Sequence, residues 1–278
     1  MIWFLNGRYL HHQKAKIPIN DLAILRGYGV FDFLVTYNKK PFLLDDHLDR
    51  LFNSAKKIGL KIPYSKKQLR GFCLETISKN RGSSFTIRII VTGGISSNNI
   101  FPENKASVAI LVEKRKPYPK ACYQNGIKLK TYQYLRFSPQ AKHINYLPAV
   151  VIKNKASKKG FLEVLYIWKK QILECTTSNF YLVKDKTLIT PEENILHGIT
   201  KKIILQLAQK IMRVAEKPIY LKDLKTADEA LISASDKEIM PVIQIDNLKI
   251  GQAKPGKYTK KLIQAFQNYS KDSFQTFS

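Results

Sequence analysis

The sequence predicts an α+β protein of two domains. Three observations carry that reading. Apolar strand-like runs and amphipathic helical stretches alternate irregularly, as strand, helix, helix, strand, strand in the first third. The stretch "EKRKPYPK", residues 113–120, carries two prolines among mostly charged residues and reads as a linker. The chain has 278 residues, enough for one or two sizeable cores. Domains are therefore expected at 1–116 and 123–278, with a linker at 117–122.

The elements follow in order. "IWFL" and "GVFDFLVTY" (Gly29–Tyr37) read as strands. In "DDHLDRLFNSAKKIGL", Leu48, Leu51, Phe52, Ala55 and Ile58 recur at helical spacing, with acids in the first turn and lysines in the last. A second helix starts at Ser65. "FTIRIIVTGG" and "SVAILVE" are buried strands. Beyond the linker come the strand "GIKLKTYQY" and the largely helical "NYLPAVVIKNKASKKG", with Pro148 in its first turn or at a kink. "LEVLYIW", "QILECTT" and "NFYLV" are strands on short turns. "TKKIILQLAQKIM" is an amphipathic helix, "EALISAS" and "PVIQID" are strands, and "YTKKLIQAFQNY" closes as a helix.

Composition narrows the function classes. Hydrophobic residues make up 44% of the chain, which argues against disorder. No apolar run approaches the roughly 20 residues of a membrane span, and "MIWFLNGRYL" lacks the features of a signal peptide. Three scattered cysteines without a CxxC pair argue against structural zinc and a disulfide framework, so a reducing cytoplasm is expected and no metal. The net charge of +26 raises nucleic acid as a partner. The lysines mostly flank periodic segments instead of forming one block, so they read as a solvated surface that attracts small anions.

Two features share the stretch "ECTTSNFYLVKDKTLITPEENILHGIT". Gly198-Ile199-Thr200 stands at the start of a helix, where unpaired N–H groups and the helix dipole suit a phosphate; an ordinary threonine cap is the plainer alternative. Glu174 ends an apolar run, either facing water or, if buried, needing a cation.

The ordered blocks "AKHINYL", "LECTTSN", "TPEENILHGIT" and "LISASDKEIMPVIQID", after an N-terminal "GVFDFLVTYNKKPFLLDDHLDRLFNSAKKIGL", resemble the fold-type IV pyridoxal-phosphate enzymes. These include branched-chain aminotransferases, D-amino-acid aminotransferases and aminodeoxychorismate lyases. The resemblance spans nearly the whole chain. It implies a cofactor at the domain cleft, with Lys142 forming the Schiff base to its aldehyde and Glu174 pairing with the pyridinium nitrogen. It implies Arg50, Ile199, Thr200 and Ser235 at the phosphate and Tyr146 at the phenolic oxygen. Arg26, Phe31 and Ala234 become candidate substrate contacts, with Arg136 a rival to Arg26 for the substrate carboxylate.

The chain departs from the usual pattern at Tyr28, where an acid between glycines is common, and at Lys201, where arginine is common. The Arg-x-His pair of D-amino-acid aminotransferases is absent from the loop "GGISSNNIFPEN". The expected activity is transamination between an amino acid and a 2-oxo acid by a homodimer, without nucleic-acid or membrane partners. The alternatives are an aminodeoxychorismate lyase and a basic binding protein without catalysis.

Overall fold

The computed structural model describes residues 1–272, which divide into two units. The first comprises residues 1–116 together with 141–146. Its strands are β1 (Ile2–Leu5), β2 (Arg8–His11), β3 (Gly29–Tyr37), β4 (Lys40–Pro41), β5 (Phe85–Thr92) and β6 (Ser107–Lys114). They form an antiparallel sheet in the order β2-β1-β6-β5-β3-β4. Period-two patterning explains the face: Phe85, Ile87, Ile89 and Val91 of β5 are all buried. Helix α1 (Leu22–Arg26) precedes β3, and α2 (Leu44–Lys57) and α3 (Lys66–Ser78) follow β4. Leu48, Leu51 and Ala55 of α2 and Leu69, Cys73 and Ile77 of α3 share one core with the buried row of β5. Ser65 and Gln68 form a reciprocal capping box at the start of α3.

The segment 141–146 lies along the start of β3. The Phe31 N–H donates to the Lys142 carbonyl at 2.9 Å, and the Ile144 N–H to the Gly29 carbonyl at 3.0 Å. The Lys142 N–H donates to Ser54 Oγ of α2 at 3.0 Å.

The second unit comprises residues 117–140 and the described residues from 147 onward. Its strands are β7 (Ile127–Gln133), β8 (Glu163–Trp168), β9 (Gln171–Cys175), β10 (Asn179–Lys184), β11 (Thr187–Thr190), β12 (Arg213–Glu216), β13 (Ile219–Tyr220), β14 (Glu229–Ala234), β15 (Glu238–Ile245) and β16 (Leu248–Lys249). The sheet order is β12-β11-β10-β14-β15-β7-β8-β9-β13, with β16 beside β15. Antiparallel hairpins dominate, and β15–β7, β7–β8 and β11–β12 run parallel. The helices are α4 (Ala121–Gln124), α5 (Leu147–Ser157), α6 (Ile199–Gln209) and α7 (Lys257–Asp272). Pro148 sits in the first turn of α5, where no N–H is required.

The mixture of an antiparallel sheet, a mixed sheet and packed helices is the α+β class that the sequence predicts. One strand differs in extent. β15 begins at Glu238, before the proline that opens the expected run. Its pairing with β7 starts only at Val242, so at Pro241 the strand is paired on one edge, where a missing N–H is tolerated.

One charge is built into the first unit's core. On β3, Val30, Asp32 and Leu34 share a face and are fully buried. Asp32 Oδ1 lies 2.6 Å from His47 Nδ1 and accepts from Arg50 Nη2 at 2.8 Å; Oδ2 accepts from Arg50 Nε at 2.9 Å. His47 and Arg50 stand three residues apart on α2, so one helix face presents both. Burial pushes the Asp32 carboxyl up, but Arg50 and His47 outweigh it and hold the group below the usual carboxylate range. Burial pushes the His47 imidazole down, so the ring is neutral at pH 7.

A depressed carboxylate stabilises the fold above its unfolded pKa of roughly 3.9, and that stability is lost as pH falls towards the folded value. Asp32→Asn is therefore expected to cost about 3–5 kcal/mol at pH 7, as for a buried pair losing one partner. Denaturant unfolding at several pH values checks this: the gap between wild type and variant narrows below about pH 4.

Candidate active site

In the first unit an arginine and a lysine stand out. Arg50 directs Nε and Nη2 at Asp32 and is mostly buried, and its Nη1 has no partner among the described residues. The carboxylate thus fixes the guanidinium plane and leaves one corner of its fork available. Lys142 is half-buried, with Nζ 4.7 Å from the centre of the Phe31 ring. The Phe31 ring meets Tyr146 edge-on at 5.5 Å. Strand pairing of 141–146 with β3 brings these three together. Arg26 is exposed in the last turn of α1, where its Nη1 donates to the Leu25 carbonyl at 2.8 Å.

The second unit holds a buried carboxylate and a helix N-terminus. Glu174 lies near the end of β9 and is buried. Its Oε1 accepts from Arg136 Nε at 2.9 Å and lies 2.7 Å from Arg136 Nη2. Its Oε2 accepts from the Leu196 N–H at 3.1 Å. A charge-assisted pair and a backbone donor hold this carboxylate in one orientation. Arg136 also donates to the Pro139 carbonyl.

The N-cap of α6 is Gly198, which has no capping side chain, so Thr200 is not the cap. A Cβ at Gly198 would stand 2.1 Å from Asn179 Oδ1, so only glycine fits the approach. Asn179 in turn donates to the Leu196 carbonyl at 2.8 Å and fixes the entry to the helix. The N–H groups of Ile199 and Thr200 and the Thr200 hydroxyl have no hydrogen-bond partner among the described residues. Ser235 follows β14 in a tight turn; it and Ala234 are half-buried.

Of the residues singled out from the sequence, Lys142, Phe31 and Tyr146 therefore cluster, and Glu174 is buried and paired. Sequence reasoning missed Asp32, His47, Asn179 and the partnership of Arg136 with Glu174. A lone acid within the apolar alternation of "GVFDF" was a signal for the first of these, because a buried charge requires a cation. Among the described residues, no group of acidic, histidine or cysteine side chains could hold a metal ion, and no helix is long and apolar enough to cross a membrane.

Within the second unit the donors and acceptors suit a phosphorylated pyridine: the α6 N-terminus and the Thr200 hydroxyl are groups a phosphate takes, and the arginine-paired Glu174 is what a protonated ring nitrogen takes.

Comparisons with known proteins agree with this chemistry. The family model for amino-transferase class IV matches residues 29–245. A putative branched-chain-amino-acid aminotransferase of Methanocaldococcus jannaschii is 33% identical over 274 residues, covering 95% of each chain. A D-alanine aminotransferase of Listeria monocytogenes is 33% identical over 270 residues, covering 94% of this chain and 93% of that protein. Among solved structures, the branched-chain amino acid aminotransferase of Escherichia coli superposes with a TM-score of 0.90 at 27% identity, covering 96% of this chain and 93% of that one. The branched-chain amino acid aminotransferase of T.th., complexed with N-(5'-phosphopyridoxyl)-L-glutamate, has a TM-score of 0.91 at 25% identity, covering 99% and 96%. With the family model matched over residues 29–245 and relatives 33% identical over most of its length, the chain belongs to the class IV aminotransferases.

Proposed function

We propose that this enzyme transfers an amino group between an amino acid and a 2-oxo acid with pyridoxal 5'-phosphate, using Lys142 and Glu174 as its catalytic residues. The observation that carries the reading is the unpartnered set of phosphate donors, the Ile199 and Thr200 N–H groups and the Thr200 hydroxyl, on the unit that also holds the buried Glu174. Bound pyridoxal phosphate supplies an electron sink and a carbon that carries the amine. Every other requirement falls to side chains of this chain.

Arg50, Ile199, Thr200 and Ser235 hold the phosphate, and Asp32 fixes the plane of Arg50. Glu174 keeps the ring nitrogen protonated, itself held by Arg136 and the Leu196 N–H. Lys142 holds the cofactor covalently and moves the proton at the substrate Cα. Tyr146, beside Phe31, binds the phenolic oxygen. Arg26 takes the substrate carboxylate, with Phe31 and Ala234 against its side chain. Two observations support Arg26 over Arg136: Arg136 is engaged with Glu174 and Pro139, whereas beyond the Leu25 carbonyl Arg26 has no partner among the described residues.

The working form is a homodimer in a reducing cytoplasm. Exposed Ile19, Ile100 and Phe101 on the first unit and Phe137, Leu147 and Val150 on the second support a covered surface, and the free cysteines fit the compartment. The donor belongs to the D-amino-acid or branched-chain class.

Borohydride reduction of the holoenzyme followed by peptide mapping is expected to place a pyridoxyl group on Lys142; an adduct on another lysine removes it from this role. Glu174→Gln keeps the shape and removes the charge. Steady-state turnover with D- and L-amino acids is expected to fall at least tenfold, about 1.4 kcal/mol of barrier, with cofactor retention less affected. A smaller loss excludes Glu174 as the partner of the ring nitrogen.

A further inference from the structure

Another buried carboxylate lies outside the groups assigned above. Glu163, the first residue of β8, is fully buried. Its Oε1 accepts from the Val164 N–H at 3.2 Å and from the Thr176 hydroxyl, and lies 3.3 Å from Lys153 Nζ. Its Oε2 accepts from the Thr177 hydroxyl at 2.6 Å and the Ser178 hydroxyl at 3.4 Å, and lies 3.5 Å from Lys237 Nζ. Lys237 is also almost fully buried. Its ammonium donates to Thr177 Oγ1 at 2.8 Å and stands over the Tyr118 ring at 5.6 Å. The Lys237 carbonyl accepts from the Tyr123 hydroxyl at 3.2 Å.

The location of the two charges is informative. Thr176, Thr177 and Ser178 form the turn between β9 and β10, which begins two residues after Glu174. Lys237 lies in the turn between β14 and β15, two residues after Ser235. One carboxylate thus binds all three hydroxyls of the first turn, and one ammonium joins it from the second. Thr177 Oγ1 is the shared atom, giving its proton to Glu163 and accepting one from Lys237. Burial pushes the Glu163 carboxyl up, but Lys237, Lys153 and the hydroxyls bring it below its usual range. Burial lowers Lys237, and Glu163 and Asp236 raise it above its usual range. Both groups are charged at neutral pH.

We propose that Glu163 and Lys237 are positioning residues that lock the turn after Glu174 to the turn carrying Ala234 and Ser235. A buried ion pair adds little net stability, because desolvation offsets much of the attraction. It does select one arrangement, since any other leaves an uncompensated buried charge. Through this lock the carboxylate for the ring nitrogen and the hydroxyl for the phosphate keep a fixed spacing. The inference rests on the functional reading of Glu174 and Ser235 given above.

The test compares Thr177→Val, which removes the shared hydroxyl, with Thr177→Ser, which keeps it, and with the double change Glu163→Gln/Lys237→Met, which leaves no lone buried charge. Apoenzyme melting, pyridoxal-phosphate affinity by titration of apoenzyme, and kcat and KM of the holoenzyme are measured for each. Thr177→Val and the double variant are expected to lose about tenfold or more in kcat and to bind the cofactor more weakly, while melting near the wild-type temperature. Thr177→Ser restores wild-type values. The Thr177→Val loss in affinity is smaller in a Ser235→Ala background, because the two act through one turn.

A purely structural pair moves the melting temperature and leaves kcat and cofactor affinity unchanged; that result in Thr177→Val and the double variant overturns the proposal alone. Wild-type protein that takes up no pyridoxal phosphate overturns the functional reading, and the proposal with it.

Discussion

The buried charge of Asp32 constrains the first unit more than any apolar contact does. An acid between Val30 and Leu34 on the core face of β3 is costly unless a cation and hydrogen-bonding partners meet it. The required partners come from a single helix, since His47 and Arg50 project from one face of α2. Register, helix rotation and guanidinium orientation are thereby tied together. A one-residue slip of β3 would turn Asp32 to the opposite face and leave Arg50 unsupported. The apolar core would tolerate small shifts between helix and sheet; two charge-assisted hydrogen bonds of defined direction do not. The corner of Arg50 left over is aimed by the corner that is engaged.

The second unit repeats the principle with different partners. Glu174 is oriented by Arg136 and the Leu196 N–H, and Glu163 by Lys237 and three hydroxyls. In a chain with 47 basic and 21 acidic residues, cations for buried acids are plentiful and the acids are scarce. A buried acid is therefore the informative residue, and the surrounding basic surface says little about specific partners. The scattered lysines give a field that attracts anions generally, whereas the buried carboxylates of Asp32, Glu163 and Glu174 each meet partners of defined direction.

Much of this was legible in the sequence, and the limit is physical. Helices α2, α3 and α6 follow from periodicity, and α3 also from its cap, because those signals are local. The order of the motif blocks pointed to Lys142, Glu174 and Thr200, none of which stood out alone. Pairings across long separations left no local trace. Arg136 and Glu174 are 38 residues apart, and nothing in "YLRFSPQ" marks that arginine as the partner of a buried acid. Lys237 in "SDKE" has the appearance of a surface turn, yet it is almost fully buried against a carboxylate 74 residues earlier in the chain, by the difference of the two positions. The attachment of 141–146 to β3 is likewise long-range, made by backbone hydrogen bonds that any side chains could form.

The departure at Lys201 is compatible with the rest of the site. A cation in the first turn of a helix opposes the dipole, so it needs a reason to be there. Lys201 is buried, and its ammonium donates to the Pro191 carbonyl at 2.7 Å and meets Glu216 of β12 at 2.7 Å. These contacts tie the loop leading into α6 to the edge of the sheet and hold the helix start in place. The charge also does no harm to an anion at that N-terminus, since it adds to the positive potential of the unpaired N–H groups. Lysine supplies the point charge that one carbonyl and one carboxylate require; the planar fork of an arginine is not needed for partners arranged this way. The substitution therefore alters how α6 is anchored and leaves the donors of Ile199 and Thr200 in place.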